Sequence, residues 1–117
     1  MAFNIQDAGL NQIFNSSSTG PGNWYRIHPG IDHMGIQASL VGSSVGSTVS
    51  GVVNIEVSAD GVNPLASLAG TITLSSVGSP GADGFDYVGG FQYIRANLQS
   101  ISTGKMTVAT SAKMRYP

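Results

Sequence analysis

The sequence predicts an all-β fold: a single-domain antiparallel β-sandwich of jelly-roll type, preceded by an N-terminal arm or short helix. Three observations carry this. Apolar and polar residues alternate with a period of two over most of the chain, the mark of strands with one buried face. About seven such stretches follow one another at short intervals, divided by Gly, Pro, Asn and Asp, with no long helical pattern among them. With 117 residues the chain matches one domain around one core, too small for two.

Residues 1–22 form the arm and linker. Leu10, Ile13 and Phe14 have the i, i+3, i+4 spacing of a short helix and run into a Ser tract. Their apolar groups either pack on the chain's own sandwich or reach a neighbouring subunit. Gly20-Pro21-Gly22 ends the segment, and the sandwich spans 23–117.

Its first strand is expected at Trp24 to His28. From 34 to 42 the even positions Met34, Ile36, Ala38 and Leu40 make a core face, and from 49 to 58 the odd positions Val49, Val53, Ile55 and Val57 do so. Asp60-Gly61 and Asn63-Pro64 then turn the chain, since Asp bonds its own backbone, Gly accepts positive φ and Pro fixes its own. Leu68, Ile72 and Leu74 resume the alternation.

Residues 75–90 hold five glycines and one proline and read as a functional loop, interrupted by a short strand near Phe85 to Val88. In the stretch from Phe91 to Ile101, Ile94, Ala96 and Leu98 share one face, with Phe91, Tyr93, Arg95 and Asn97 opposite. Lys105 to Ala112 is the last strand, with Met106 and Val108 inward, and the pair around Gly104 reads as a hairpin.

Composition narrows the function. Only 9% of residues are charged, against roughly 25% in an ordinary soluble domain. Gly and Ser, 16 of each, exceed a quarter of the chain, so surface polarity rests on hydroxyls, amides and backbone. A net charge of -1 with no basic run argues against nucleic acid. Apolar runs are far shorter than a bilayer span, and Met1 to Leu10 lacks the pattern of a signal peptide, so synthesis in a cytoplasm without membrane anchoring is expected. Zero Cys removes disulfides, thiolate nucleophiles and Cys-ligated zinc. A hydrophobic fraction of 41% with so few charges leaves apolar surface for contact with other subunits.

Few residues suggest chemistry. His28 and His33 with Asp32 are the place to look for a metal, yet their spacing crosses Pro29-Gly30 and fits no known ligand pattern. Asp83 and Asp86 in a Gly-rich stretch, with Asp60 elsewhere, fall short of the carboxylate count of a calcium loop. No Ser is marked as a nucleophile by a nearby base. The expectation is no enzyme, no cofactor and no metal.

Trp24, Tyr25, Phe85, Tyr87, Phe91 and Tyr93 are either core and subunit packing or a strip for stacking sugar rings. Arg95 either stacks on an aromatic or pairs with Glu56 across strands. The candidate contact residues are Leu10, Ile13, Phe14, Trp24, Phe85, Tyr87, Tyr93 and Arg95, because large aromatics and Arg anchor interfaces.

Two stretches, VNIEVSADGVN from Val53 to Asn63 and FQYIRANLQSISTGKMTVAT from Phe91 to Thr110, resemble the small structural proteins of tailed bacteriophages, in particular the β-sandwich capsid decoration or cement proteins. The same SADG and YIRA pieces give a fainter likeness to discoidin-type jelly rolls. The resemblance covers the C-terminal two thirds, and no active site comes with it. It implies a homo-oligomer, often a trimer, on the outer surface of the virion where neighbouring major capsid proteins meet. Residues 1–33 match no part of that pattern. A carbohydrate-binding jelly-roll module and a phage neck or tail component are the alternatives.

Overall fold

The computed structural model describes residues 3–5, 9–28, 31, 33–41, 48–77, 82–102 and 104–112, with the side chains of 3–5, 9, 10, 48, 49, 76 and 77 left aside. These residues form ten strands and no helix. They are β1 (Phe3–Ile5), β2 (Gly9–Ser16), β3 (Gly20–Pro21), β4 (Tyr25–Ile27), β5 (His33–Val41), β6 (Thr48–Ser58), β7 (Gly70–Val77), β8 (Ala82–Val88), β9 (Tyr93–Ile101) and β10 (Lys105–Ala112). The first sheet runs β1-β4-β9-β6-β7, with β3 also on β9, and the second runs β2-β10-β5-β8. All pairings are antiparallel except β1 with β4.

After β2 the chain switches sheet repeatedly, and the strands β4-β9-β6-β7 of the first sheet and β2-β10-β5-β8 of the second stand in the order of a jelly roll. The two inner faces meet in one core. Ile27, Val53, Ile55, Val57, Ile72, Leu74, Ile94, Ala96 and Leu98 come from the first sheet, and Ile13, Phe14, Met34, Ile36, Ala38, Leu40, Met106, Val108 and Ala112 from the second. The even face of β5 and the alternating faces of β6 and β9 are buried as their periodicity predicts, because the pleat sends alternate side chains to opposite sides.

The N-terminal segment differs from expectation. Residues 9–16 are a strand paired with β10, neither helix nor free arm. The register passes from Phe14 opposite Val108 to Gln12 opposite Ala109, so Ile13 is an extra residue in a bulge. A bulge lets two successive side chains face the same way, and Ile13 and Phe14 are 3% and 8% exposed. Without that irregularity one of them would lie in water. The adjacency that imitates helical spacing is thus a bulge signature, and burial of both answers the choice between core and partner for these two. Leu10 lies opposite Ser111, and its side chain falls outside the described residues.

Gly104 is a second correction. Its positive φ, 82°, suits a tight turn, but the strands on either side sit in different sheets, so the turn is a corner and not a hairpin. The Ser102 amide donates to Ser50 O at 2.9 Å and ties this corner to β6. Among the described residues the consecutive strands β6 and β7 pair directly.

The stretch expected as a loop over 75–90 is largely strand. β7 extends to Val77, and β8 fills 82–88 as the outer strand of the second sheet, with 78–81 outside the described residues. Gly84 explains why a Gly-rich segment can pair here: a Cβ on it would stand 2.2 Å from Ile36 O, a backbone atom that cannot yield. Leu68, expected in a strand, lies before β7 and is exposed.

Candidate functional site

The outer face of the first sheet gathers the most elaborate cluster of side chains. On β9 the alternation that sends Ile94, Ala96 and Leu98 inward turns Tyr93, Arg95 and Asn97 outward. Antiparallel register then sets Glu56 of β6 directly opposite Arg95 and Asn54 opposite Asn97. Arg95 Nε donates to Glu56 Oε1 at 2.5 Å, and Asn97 Nδ2 donates to Glu56 Oε2 at 3.0 Å. Both carboxylate oxygens are therefore occupied.

Trp24, just before β4, lies over the guanidinium with Arg95 Cζ 4.4 Å from the ring centre. The indole shields the ion pair, so that Arg95 and Glu56 side chains are only 16% and 11% exposed although they stand on an outer face. The two alternatives for Arg95, stacking and pairing, are realised together. A planar cation is suited to both, since its edge carries donors and its face stacks on a ring.

One end of this face is closed by the Ser58–Asn63 turn. Ser58 Oγ donates to Asp60 Oδ1 at 2.8 Å, and the amides of Val62 and Asn63 donate to the same oxygen at 2.9 Å each. Asn63 Nδ2 donates to Asp60 Oδ2 at 2.9 Å. These bonds, led by the Asn63 and Val62 amides, hold the Asp60 carboxyl far below the usual carboxylate range. Gly61, at φ 72°, lies under the Tyr93 ring, where a Cβ would come within 2.9 Å of Cδ1. The SADG sequence is a self-capped turn on which Tyr93 rests.

The aromatic residues do not form one strip. Trp24 and Tyr93 lie on the outer face of the first sheet, whereas Phe85 and Tyr87 point inward from β8 and pack on the core. Phe85 fits against Gly70 at the start of β7, where a Cβ would meet Cζ at 2.5 Å, so it links the two sheets at that side. Tyr87 Oη is buried without a hydrogen bond of good geometry. Burial raises its pKa, opposed by the nearby Phe91 amide. Phe91 is exposed in the connection before β9.

Of the other candidates, His28 and His33 are exposed at the end of β4 and the start of β5. His33 Nε2 lies 3.8 Å from Asp86 Oδ1 on β8, and Asp32 falls outside the described residues. Asp83 is exposed, and its Oδ1 accepts from the Gly84 amide. Among the described residues no group of three or more His, Cys, Asp or Glu is placed to hold a metal. The outer face of the first sheet supplies a rigid polar and aromatic surface. Sequence reasoning did not single out Arg26, which is exposed on β4 opposite Tyr93 and shares this face, although the β4 alternation with Tyr25 and Ile27 carries that signal.

No protein-family model and no curated protein matches the chain. Among solved structures it is similar to the crystal structure of the SPBc2 prophage-derived protein YomS, with a TM-score of 0.60 and 14% sequence identity. The match covers 96% of this chain and 97% of that one. At that identity the likeness is one of fold, and the shared architecture takes in both chains from end to end.

Proposed function

We propose that the protein is a structural component of a bacteriophage particle and, within that class, a decoration protein on the outer capsid surface that binds as a homo-oligomer, a trimer, between neighbouring major capsid proteins. The observation that carries this reading is the end-to-end likeness of fold to a prophage-derived protein. The jelly roll, an architecture of viral capsid domains and also of lectins, agrees with it. The low charge and the rigid Trp24–Arg95–Glu56 face suit a surface made for repeated weak contacts, which add through multivalency on a lattice. Division of the aromatic residues between the outer face of one sheet and the inside of the other counts against a sugar-stacking strip.

Capsids that lack the protein supply the test. The purified chain is expected to cosediment with them to saturation and to raise their melting temperature on re-addition. Absence of binding, or saturable glycan binding lost in Trp24→Ala, overturns the proposal.

A further inference from the structure

We propose that Asp83 on β8 converts spontaneously to isoaspartate through attack by the Gly84 amide, and that the fold spares Asp60, which stands in the same Ala-Asp-Gly sequence.

The chemistry needs no reagent but water. The Gly84 nitrogen attacks Asp83 Cγ while the carboxyl is neutral. The amide hydrogen and the carboxyl hydroxyl leave as water, and a five-membered succinimide closes. Water then reopens the ring. Addition at Cγ breaks the new N–Cγ bond and restores aspartate. Addition at the Asp83 main-chain carbonyl carbon breaks the original peptide bond instead, so the chain runs on through Cβ and Cγ, one atom longer and unchanged in mass. Glycine favours the attack because it has no Cβ to crowd the nitrogen.

Two Ala-Asp-Gly steps occur in the sequence, at 59–61 and 82–84, and the structure sets them apart. At the second, the Gly84 amide donates to Asp83 Oδ1 at 2.8 Å. Cγ is one bond from that oxygen, so the reacting atoms already stand close together. Both residues are exposed, and this is the bond that the Asp83 carboxylate makes among the described residues. Ring closure carries Asp83 out of its extended conformation, so β8 must open locally. β8 has a neighbour on one side only, β5, and a strand held along one side opens at lower cost than an interior one.

At the first step both reacting groups are engaged elsewhere. Asp60 Oδ1 accepts from the Ser58 hydroxyl and from the Val62 and Asn63 amides, and Oδ2 from the Asn63 side chain. The Gly61 amide donates to Ser58 Oγ at 3.1 Å, and the Tyr93 ring covers Gly61. Cyclisation would dismantle that turn. The same bonds also keep the Asp60 carboxyl ionised, and water does not leave from that form.

On β8 the extra main-chain atom falls between the partners of Ala38 and Gln37. Gly84 lies against Ile36 O with no room for a Cβ, so the lengthened chain cannot keep its ladder on both sides of the step. Phe85 and Tyr87, which follow it and pack on the core, lose their seat. Isomerisation thus loosens one edge of the second sheet as the protein ages.

Ageing the full chain in mildly acidic buffer tests this. A protease that cuts before aspartate but not before isoaspartate locates the product, and chromatography separates the peptides of equal mass. In the folded protein isoaspartate is expected at 83 at least about tenfold faster than at 60, since misplaced reacting groups lose rate on the order of a hundredfold. In urea, which removes the turn and the strand alike, the two rates are expected to agree within about threefold. Asp83→Glu, whose ring would need six members, is expected to abolish the product at 83. Asp83→Asn, which loses ammonia to reach the same succinimide, is expected to hasten it. Equal rates at the two sites in the folded protein, a faster rate at 60, no product at 83, or a preference for 83 that persists in urea overturns the proposal.

Discussion

Glu56→Ala is the most informative single perturbation of the outer face. It removes two charge-assisted hydrogen bonds, from Arg95 Nε at 2.5 Å and from Asn97 Nδ2 at 3.0 Å. A hydrogen bond to a charged group contributes about 1.5–3 kcal/mol net, and stripping the partner from a fully buried pair costs about 3–5 kcal/mol. Arg95 is 16% exposed, so water reaches the guanidinium left behind, and Trp24 still covers one of its faces. The loss therefore falls near the lower values, about 2–3 kcal/mol. Against a total stability of order 5–15 kcal/mol, this lowers Tm by roughly 10 °C.

Urea unfolding followed by tryptophan fluorescence measures the effect, since Trp24 is the one tryptophan and reports from the site itself. Arg95→Ala and the double variant complete a cycle. The coupling between the two positions is expected to exceed about 1 kcal/mol, because each residue is the other's main partner. Additivity to within about 0.3 kcal/mol would refute the reasoning, for it would mean that Glu56 and Arg95 stabilise the face independently.

Three further outcomes follow from the same structure. Phe14→Ala is expected to cost about 3–4 kcal/mol in chemical denaturation, as Phe14 is 8% exposed and in the core; a loss below about 1 kcal/mol would favour the partner-contact role instead. Asp60 has its folded pKa depressed by the Asn63 and Val62 amides, so its contribution is complete above the unfolded Asp value near pH 4 and is lost as pH falls from there toward the folded value. Thermal melts at stepped pH should therefore show a shallower acid decline for Asp60→Ala than for wild type, and coincident curves would contradict this. Tyr87→Phe removes a buried hydroxyl without a good partner and is expected to be neutral or to stabilise by up to about 1 kcal/mol, whereas a clear loss in the melt would reveal a hydrogen bond at that oxygen.

The interior strands were legible because their surroundings impose a strict period. Met34 to Leu40 on β5 and Ile94 to Leu98 on β9 alternate without interruption, and each has a neighbour on both sides. The edges were not. β2 conceals its period behind the Ile13 bulge, and β8 is rich in Gly and Asp, residues that avoid strands unless, like Gly84, they allow close backbone approach. Gly104 announces a turn, but local chemistry cannot say whether the next strand joins the same sheet or crosses to the other. In the site, residue types pointed to Arg95 with Glu56 or an aromatic, while the register of β6 against β9 and the position of Trp24 set both at once. Phe85 and Tyr87 looked like surface anchors because an aromatic pair in a Gly-rich stretch has no period long enough to reveal an inward face.

Copy number in the particle tests the central claim most directly. Quantitative mass spectrometry of purified virions, scaled to the major capsid protein, should find this chain at hundreds of copies, the order of magnitude of repeated sites on a capsid lattice, while about six or twelve copies would indicate a ring-shaped neck or tail component. Hundreds of copies support decoration of the head. Ring-like numbers, or absence from the virion, contradict it.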